Sequence, residues 1–256
     1  MGKIPPKIIY KYHRINDHLF EMIREGKFWF SQQNDLNDPY DCKYALSDTF
    51  LNSVLRKSSD TLITDLSIKN PIFKNVNKDE FYNNIFPRLR GTEGMNTFYD
   101  MLFGNYLGWS VCCFTTDPLN EIMWTHYSDC HKGVCLGFDL TKSPSLWEKL
   151  IPVKYNDKFP EINSINDLPE ALRKKRRVWR IEKEWRILSK EKGKIPFNKS
   201  SFVSIYFGYK ALNSDIENVV NVIRDSGYAN VDFKQCGFQI KGIKLSPNKI
   251  IKPDNK

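Results

Sequence analysis

The sequence has no long hydrophobic run and few cysteines. No stretch of the 256 residues reaches the roughly 18 consecutive apolar residues that a membrane-spanning helix needs, and residues 1–6 lack the apolar core of a secretory signal. The 6 cysteines are too sparse for a disulfide scaffold, so we expect reduced thiols. These absences predict a cytoplasmic protein with no membrane partner.

Several common catalytic motifs are also missing. The chain contains no G-x-x-x-x-G-K-[ST], no G-x-G-x-x-G after a strand, no H-E-x-x-H and no G-x-S-x-G. Ordinary nucleoside triphosphatases, Rossmann dehydrogenases, zincins and α/β-hydrolases are therefore disfavoured. Residue types that zinc accepts cluster at His126, Cys130, His131 and Cys135, but their spacing matches no zinc module, so no metal is expected.

The chain carries an excess of positive charge. Its 39 lysines and arginines outnumber 30 acidic residues, which gives a net charge of +9. Such a balance favours partners that carry phosphate groups. The basic run at 174–180 is either a solvated face or a grip on a phosphate backbone. The candidate nucleic-acid contacts in it are Lys174, Lys175, Arg176, Arg177 and Arg180.

Strand and helix patterns follow one another without a regular β-α-β rhythm. Asn16 and Gly26 are typical of the two ends of a helix, Asp117-Pro118 predicts the start of another, and apolar spacing predicts a helix from Asn213 to Asp225. Residues 32–41 predict an ordered, turn-rich loop. β-Branched and aromatic runs predict strands near 7–12, 27–31, 109–114, 133–138, 153–155, 184–188, 202–207 and 238–243.

This order of elements predicts an α+β fold rather than a doubly wound one. The segment 45–107 has a helical pattern, with candidate helices near 46–57, 78–86 and 93–106. We therefore expect a single domain, 1–256, that contains an all-helical insertion at 45–107.

Glu182 and Glu184 form a conspicuous carboxylate pair at the start of a predicted strand. Residues two apart in an extended chain point to the same face, and neighbouring carboxylates repel unless cations such as Arg180, Lys183 or Arg186 neutralise them. The pair is either a salt-bridged strand end or a device that stabilises a developing oxocarbenium ion during glycosyl transfer.

Aromatic residues crowd the segment 123–129. If Trp124 is buried, the segment is simply part of the core. Alternatively, His126 or Tyr127 lines a pocket for a flat ring, and the two interpretations have equal weight.

Four motifs together resemble a bacterial family known only as a domain of unknown function, whose name supplies no activity. They are Tyr10-Lys11-Tyr12, Asn37-Asp38-Pro39-Tyr40-Asp41, Trp124-Thr125-His126-Tyr127 and Glu182-Lys183-Glu184-Trp185-Arg186.

A more distant resemblance is to the ADP-ribosyltransferase superfamily, including its DNA- and RNA-modifying toxins and the tRNA 2′-phosphotransferases. It lies in the order of strand, His13, helix, Gly26, aromatic strand and turn-rich loop, with Glu-x-Glu opening a later strand. The resemblance implies a split mixed or antiparallel β-sheet core, with NAD bound in a bent conformation as a substrate.

The same resemblance implies roles for single residues. Glu184 would be catalytic and Glu182 its helper. His13 would hold the ribose, with Arg14 as a substitute, and Tyr40 would stack on nicotinamide. The full set of implied NAD-binding residues is His13, Tyr12, Arg14, Ser31, Tyr40, His126 and Tyr127.

The function expected on this basis is an NAD-dependent ADP-ribosyltransferase that modifies a macromolecule, with nucleic acid and in particular RNA as the acceptor. By analogy it would be a bacterial toxin or phage-defence effector held by an antitoxin. One alternative is a nucleic-acid binding protein or nuclease in which Glu182 and Glu184 hold a divalent metal with Asp38 or Asp41. Another is a non-catalytic binding module.

Overall fold

A computed structural model describes residues 4–53, 63–64, 67–68, 71, 74–85, 108–239 and 244–250. The chain divides into two compact units. The first comprises Met1–Asp41, Trp109–Asp157 and Arg173–Lys256, and the second comprises Cys42–Gly108 and Lys158–Leu172. Among the described residues, no helix is both long enough and apolar enough to cross a bilayer.

The strands are numbered here in chain order. They are β1 (Ile8–His13), β2 (Lys27–Gln32), β3 (Ala45–Leu46), β4 (Ser110–Thr115), β5 (Val134–Asp139), β6 (Leu150–Pro152), β7 (Lys154–Tyr155), β8 (Glu161–Ile162), β9 (Lys174–Lys175), β10 (Glu184–Ser189), β11 (Gly193–Pro196), β12 (Phe202–Phe207), β13 (Asp232–Gln239) and β14 (Lys244–Ile250).

Helices connect these strands at unequal intervals. Their bounds are Asp17–Glu25, Lys78–Glu80, Glu121–Tyr127, Pro144–Trp147, Leu168–Leu172 and Asn213–Asp225, and residues 48–53 are also helical. Asn16 Oδ1 accepts the backbone N–H of Leu19 at 3.1 Å, and Gly26 ends the first helix with φ at 64°, as the sequence predicts. The predicted bounds Asn213–Asp225 are likewise confirmed.

The helix predicted to begin at Asp117-Pro118 begins later. Its cap is Asn120, whose Oδ1 accepts the N–H groups of Ile122 and Met123. Asp117 is engaged elsewhere, because its Oδ1 accepts the Leu119 N–H in a local turn and its Oδ2 pairs with Lys183. The predicted cap at Asp117 was therefore wrong, because the observed cap lies three residues later in the chain.

The described residues form a mixed, mostly antiparallel sheet of 10 strands, which confirms the α+β class. The strand order is β11-β2-β4-β1-β5-β12-β13-β14. Strand β10 lies outside this order and pairs with both β4 and β6. Only β12 and β13 pair in parallel within this described sheet, with the Asn213–Asp225 helix as their crossover.

One edge of β4 is divided between two strands. On its other edge β10 pairs with β4 along its whole length, from Ser110 to Thr115. On the divided edge β1 pairs only at Thr115, whereas β2 pairs at Val111 and Ser110. In the described part of the chain, residues 112–114 of β4 have no strand partner on this edge, so β1 and β2 diverge and leave a gap.

The core of the first unit is largely aromatic. Phe28 is fully buried, and its ring centroid lies 5.2 Å from Phe114, 4.8 Å from Phe138 and 4.4 Å from Phe197. The apolar faces of the Asp17–Glu25 and Asn213–Asp225 helices cover the same cluster. The six cysteines are free thiols, as expected.

The second unit contains the expected insertion at 45–107 together with Lys158–Leu172. Its described part is not all helical, because β3 pairs in parallel with β8 and the Ala45 N–H donates to the Pro160 carbonyl at 2.8 Å. The candidate helix at 93–106 lies outside the described residues, as do residues 240–243 of the strand predicted at 238–243, where β13 ends at Gln239 and β14 begins at Lys244.

Candidate active site

The gap between β1 and β2 opens into a cavity of about 260 Å³, referred to below as the carboxylate cavity. Aromatic, apolar and acidic side chains line it. Its lining includes Tyr10, Lys11 and Tyr12 of β1, Trp29 and Ser31 of β2, Cys113 and Phe114 of β4, and Asn37, Asp41, Tyr127, Lys175, Glu182 and Glu184. The Lys11 ammonium spans the gap, donating to the Cys113 carbonyl at 3.1 Å.

The alternation of side chains along a strand does not explain how the two glutamates come together. Glu182 ends a 3-10 helix, Arg177–Glu182, and Lys183 then adopts a left-handed conformation with φ at 48°. Glu184 begins β10 only after this corner. The expectation of a shared strand face was therefore wrong, because the corner rather than the pleat brings both carboxylates to Lys175 Nζ, at 2.5 Å and 2.9 Å.

Two buried cations hold the carboxylates. Arg186 has no exposed surface, and it donates from Nε to Glu184 Oε1 and from Nη2 to Asp41 Oδ2, both at 2.7 Å. Lys175 is 6% exposed. Of the cations that the sequence offered for this role, only Arg186 takes it, since Lys183 pairs with Asp117 and Arg180 is exposed.

Burial and ion pairing act in opposite directions on these groups. Burial alone would raise the pKa of Glu184, but Arg186 and Lys175 lower that pKa to about 2. For Glu182 burial dominates, and its pKa is raised despite Lys175. Burial would lower the pKa of Lys175, yet Glu184, Asp41 and Glu182 raise it. Three carboxylates therefore face two fixed cations, and of the two glutamates Glu182 is the one whose pKa is raised.

Tyrosine side chains fix the two glutamates from outside. The Tyr127 hydroxyl donates to Glu182 Oε1 at 2.7 Å and accepts from Asn37 Nδ2 at 3.1 Å. The Tyr155 hydroxyl accepts the backbone N–H of Glu184 at 2.8 Å. Burial, followed by the neighbouring Glu182 charge, raises the pKa of Tyr127, so this hydroxyl stays a donor at neutral pH.

The Lys175 ammonium occupies the point at which a shared divalent metal would have to lie. Its Nζ is 2.5 Å from Glu182, 2.9 Å from Glu184 and 3.4 Å from Asp41. Across the described residues, no group of three or more His, Cys, Asp or Glu side chains is arranged to hold a metal ion. The Lys175 ammonium thus joins all three carboxylates.

The structure also corrects the interpretation of the basic run. Lys175 was expected to contact nucleic acid, but it is buried and its donors are directed at the carboxylates. Lys174 is half-buried, whereas Arg176, Arg177 and Arg180 are exposed. These three arginines are the members of the run that remain available to a phosphate backbone.

Three of the expected NAD-binding residues line the carboxylate cavity: Tyr12, Ser31 and Tyr127. The Tyr12 hydroxyl is already engaged, because it donates to the Asp117 carbonyl at 2.9 Å and accepts the Asn120 N–H at 3.1 Å. Tyr12 can therefore offer a ligand its ring but not its hydroxyl.

His13 instead lines a second cavity, of about 600 Å³. Burial lowers the pKa of His13 to about 4, so its imidazole is neutral at physiological pH. The two cavities adjoin, since both are lined by Lys11, Trp29, Ser31 and Asp35.

The other expected NAD-binding residues, Arg14, Tyr40 and His126, line neither of these two cavities. Tyr40 is 58% exposed, and the Arg176 guanidinium lies 5.1 Å from its ring centroid. His126 is exposed on its helix, with its ring 6.5 Å from that of Trp179. Trp124 is fully buried, as the core interpretation of this segment requires.

Sequence reasoning missed the central position of Lys175 and the contributions of Tyr10, Lys11 and Tyr155. Lys175 stands among exposed arginines, and no local pattern separates it from them. The alternation of Tyr10 and Tyr12 on β1 was a usable signal, because residues two apart on a strand share a face.

Comparison with known proteins found a match to one family model, which carries no known activity. Residues 123–187, about a quarter of the 256-residue chain, match the model of a family described as "Protein of unknown function (DUF2971)". That segment contains Tyr127, Lys175, Glu182, Glu184 and Arg186. No curated protein and no solved structure matches the chain. The expected resemblance to a domain-of-unknown-function family is therefore confirmed, over the segment that supplies Lys175, Glu182 and Glu184 to the cavity.

Proposed function

We propose that this protein is an NAD-dependent ADP-ribosyltransferase of ADP-ribosyltransferase-like fold, and that its acceptor is a macromolecule, specifically RNA. The single observation that carries the proposal is the gap between β1 and β2, which holds a cavity lined by the buried carboxylates Asp41, Glu182 and Glu184. A ligand in such a gap contacts backbone and side chains of diverging strands without displacing a paired strand.

The dimensions of the two cavities suit a dinucleotide. They measure about 260 Å³ and about 600 Å³ and share four lining residues. Pockets for small molecules and cofactors usually measure about 300–1,000 Å³. In the proposed complex the nicotinamide riboside lies between Tyr10, Tyr12 and Phe114 in the carboxylate cavity. The remaining part of NAD then extends past Trp29 toward His13.

The charge of the site suits cleavage of a glycosidic bond. With Asp41, Glu182 and Glu184 ionised against Lys175 and Arg186, the buried groups carry one excess negative charge. Loss of nicotinamide leaves positive charge on the ribose, and a fixed anion in a site of low dielectric stabilises that charge. Glu184 is the suitable anion because its pKa is about 2. Glu182, braced by Tyr127, assists it.

The exposed charge suits a phosphate-bearing acceptor. Arg176, Arg177 and Arg180 lie immediately before Glu182 in the chain and are exposed. Arginines in such a row neutralise successive phosphates and release counterions, so binding should weaken as salt is raised. The proposed biological role, a bacterial toxin or phage-defence effector restrained by an antitoxin in the cytoplasm, is an analogy with toxins of the ADP-ribosyltransferase superfamily.

The test is incubation of the full chain with labelled NAD and total bacterial RNA, DNA or protein, followed by measurement of label transfer and nicotinamide release. Glu184→Gln should lower transfer about 100-fold or more, the usual effect of removing one preorganised charge-stabilising group. Glu217→Gln, an exposed change of the same chemistry on the Asn213–Asp225 helix, is the matched control. EDTA should have no effect. Absence of nicotinamide release from wild type with every acceptor would refute the proposal.

A further inference from the structure

Asp41 is a third carboxylate of the cavity, supplied by the loop that follows β2. It is 2% exposed and lines the carboxylate cavity beside Glu182 and Glu184. Its Oδ2 accepts from Arg186 Nη2 at 2.7 Å and lies 3.4 Å from Lys175 Nζ. Its Oδ1 is buried and has no hydrogen-bond partner among the described residues.

The other carboxylate oxygens of this cluster are already occupied. Glu182 accepts from Tyr127 at Oε1 and from Lys175 at Oε2. Glu184 accepts from Arg186 at both oxygens and from Lys175 at Oε2. A buried acceptor without a donor costs free energy, so such an oxygen on a residue that lines a cavity favours a ligand that brings a donor. Oδ1 of Asp41 is positioned for that purpose, because Arg186 holds the same carboxylate through its other oxygen.

We infer that Asp41 is the general base of the reaction, an inference that rests on the proposed function. Its Oδ1 accepts a hydrogen bond from the O–H or N–H of the acceptor. As the acceptor atom bonds to C1′ of the nicotinamide-bearing ribose, the bond from C1′ to the nicotinamide nitrogen breaks. The electron pair of that bond neutralises the pyridinium, and the proton of the acceptor passes to Asp41 Oδ1. The products are ADP-ribosylated acceptor, neutral nicotinamide and one proton.

This assignment divides the work among the carboxylates according to their contacts. Glu184, saturated by Arg186 and Lys175, acts as a fixed charge, whereas Asp41 keeps one oxygen for proton transfer. Asp38 provides a matched comparison. It is also buried and also has an oxygen, Oδ2, without a partner in the described structure, but it does not line the cavity and its Oδ1 accepts the Tyr40 N–H at 3.0 Å.

The experiment compares Asp41→Asn with Asp38→Asn in the full chain, using NAD with total bacterial RNA as acceptor and sodium azide as a second nucleophile. Asp41→Asn should lower kcat for transfer about 100-fold or more, the range for loss of a general base, with little change in KM for NAD. Azide needs no deprotonation, so it should restore nicotinamide release at least about 10-fold in this variant. Asp38→Asn should transfer at the wild-type rate and gain nothing from azide.

Near-normal transfer by Asp41→Asn, or a loss that azide does not restore, would overturn the inference while leaving the proposed function intact. A wild-type chain that releases no nicotinamide would overturn both. If Asp41→Asn fails to fold, Asp41→Glu decides, because it keeps the charge opposite Arg186 but displaces the carboxylate by one methylene group. It should show the same azide-restored loss, and full activity would count against the inference.

Discussion

Replacement of Lys175 by methionine removes one of the two buried cations and keeps a flexible apolar stem of similar length. In the wild type, three carboxylates face Lys175 and Arg186, a formal charge of −1 when all are ionised. In Lys175→Met the same carboxylates face Arg186 alone, a formal charge of −2. Removing one partner of a buried ion pair usually costs about 3–5 kcal/mol, and we expect a loss of that size at pH 7.

The loss should depend on pH in a defined direction. Glu182 has a raised pKa in the folded state, so its proton stabilises the fold at low pH, and this contribution is lost as pH rises through the folded-state pKa. Without Lys175 the pKa of Glu182 rises further. The pH range in which protonated Glu182 stabilises the fold then extends to higher pH. Because one pKa unit is worth about 1.4 kcal/mol, the deficit of the variant should shrink by about 1 kcal/mol or more between pH 7 and pH 5.

The measurement is urea denaturation of both proteins at pH 7 and pH 5. Lys183→Met is the control, because it removes the same charge from an exposed pair with Asp117 and should cost less than about 1 kcal/mol at either pH. A deficit for Lys175→Met below about 1 kcal/mol, or one that is equal at the two pH values, would refute the electrostatic account of the cluster.

Three further substitutions test other parts of the structure by thermal or urea denaturation. Gly208→Ala would place Cβ 1.9 Å from the His131 carbonyl oxygen, so it should cost about 1–3 kcal/mol or more, and an unchanged Tm would contradict that contact. Asn16→Ala removes a helix cap and should cost about 0.5–2 kcal/mol, with Asn16→Asp largely neutral. Tyr127→Phe removes a donor to Glu182 and should cost about 1.5–3 kcal/mol at pH 7, and a neutral effect would show that this hydrogen bond contributes nothing net.

Local chemistry made some elements predictable. Asn16 and Gly26 act within one helical turn, and the apolar spacing of the Asn213–Asp225 helix has the period of a single element, so both could be predicted without knowledge of the fold. At Asp117-Pro118 two local signals competed. Asn120, three residues on, forms the cap because Asp117 is drawn into a turn and an ion pair.

The site depended on contacts that local patterns do not encode. Glu182 and Glu184 could be found as a pair from sequence, but the left-handed corner at Lys183 could not, since a lysine there carries no signal for positive φ. Arg186 and Asp41 are 145 residues apart in the chain, and only the sheet brings them together. The cation that joins all three carboxylates, Lys175, was predicted as a surface residue for the same reason.

The Lys11 side chain that reaches the Cys113 carbonyl has a consequence for access to the interior. Because the Lys11 ammonium satisfies this carbonyl, β4 needs no neighbouring strand at that point. The gap between β1 and β2 can therefore stay open when no ligand is bound. The entrance to the cavity is then present before a ligand binds, and ligand entry requires no separation of paired strands. Ligands that fit should enter at rates set by diffusion and charge rather than by a conformational opening of the fold.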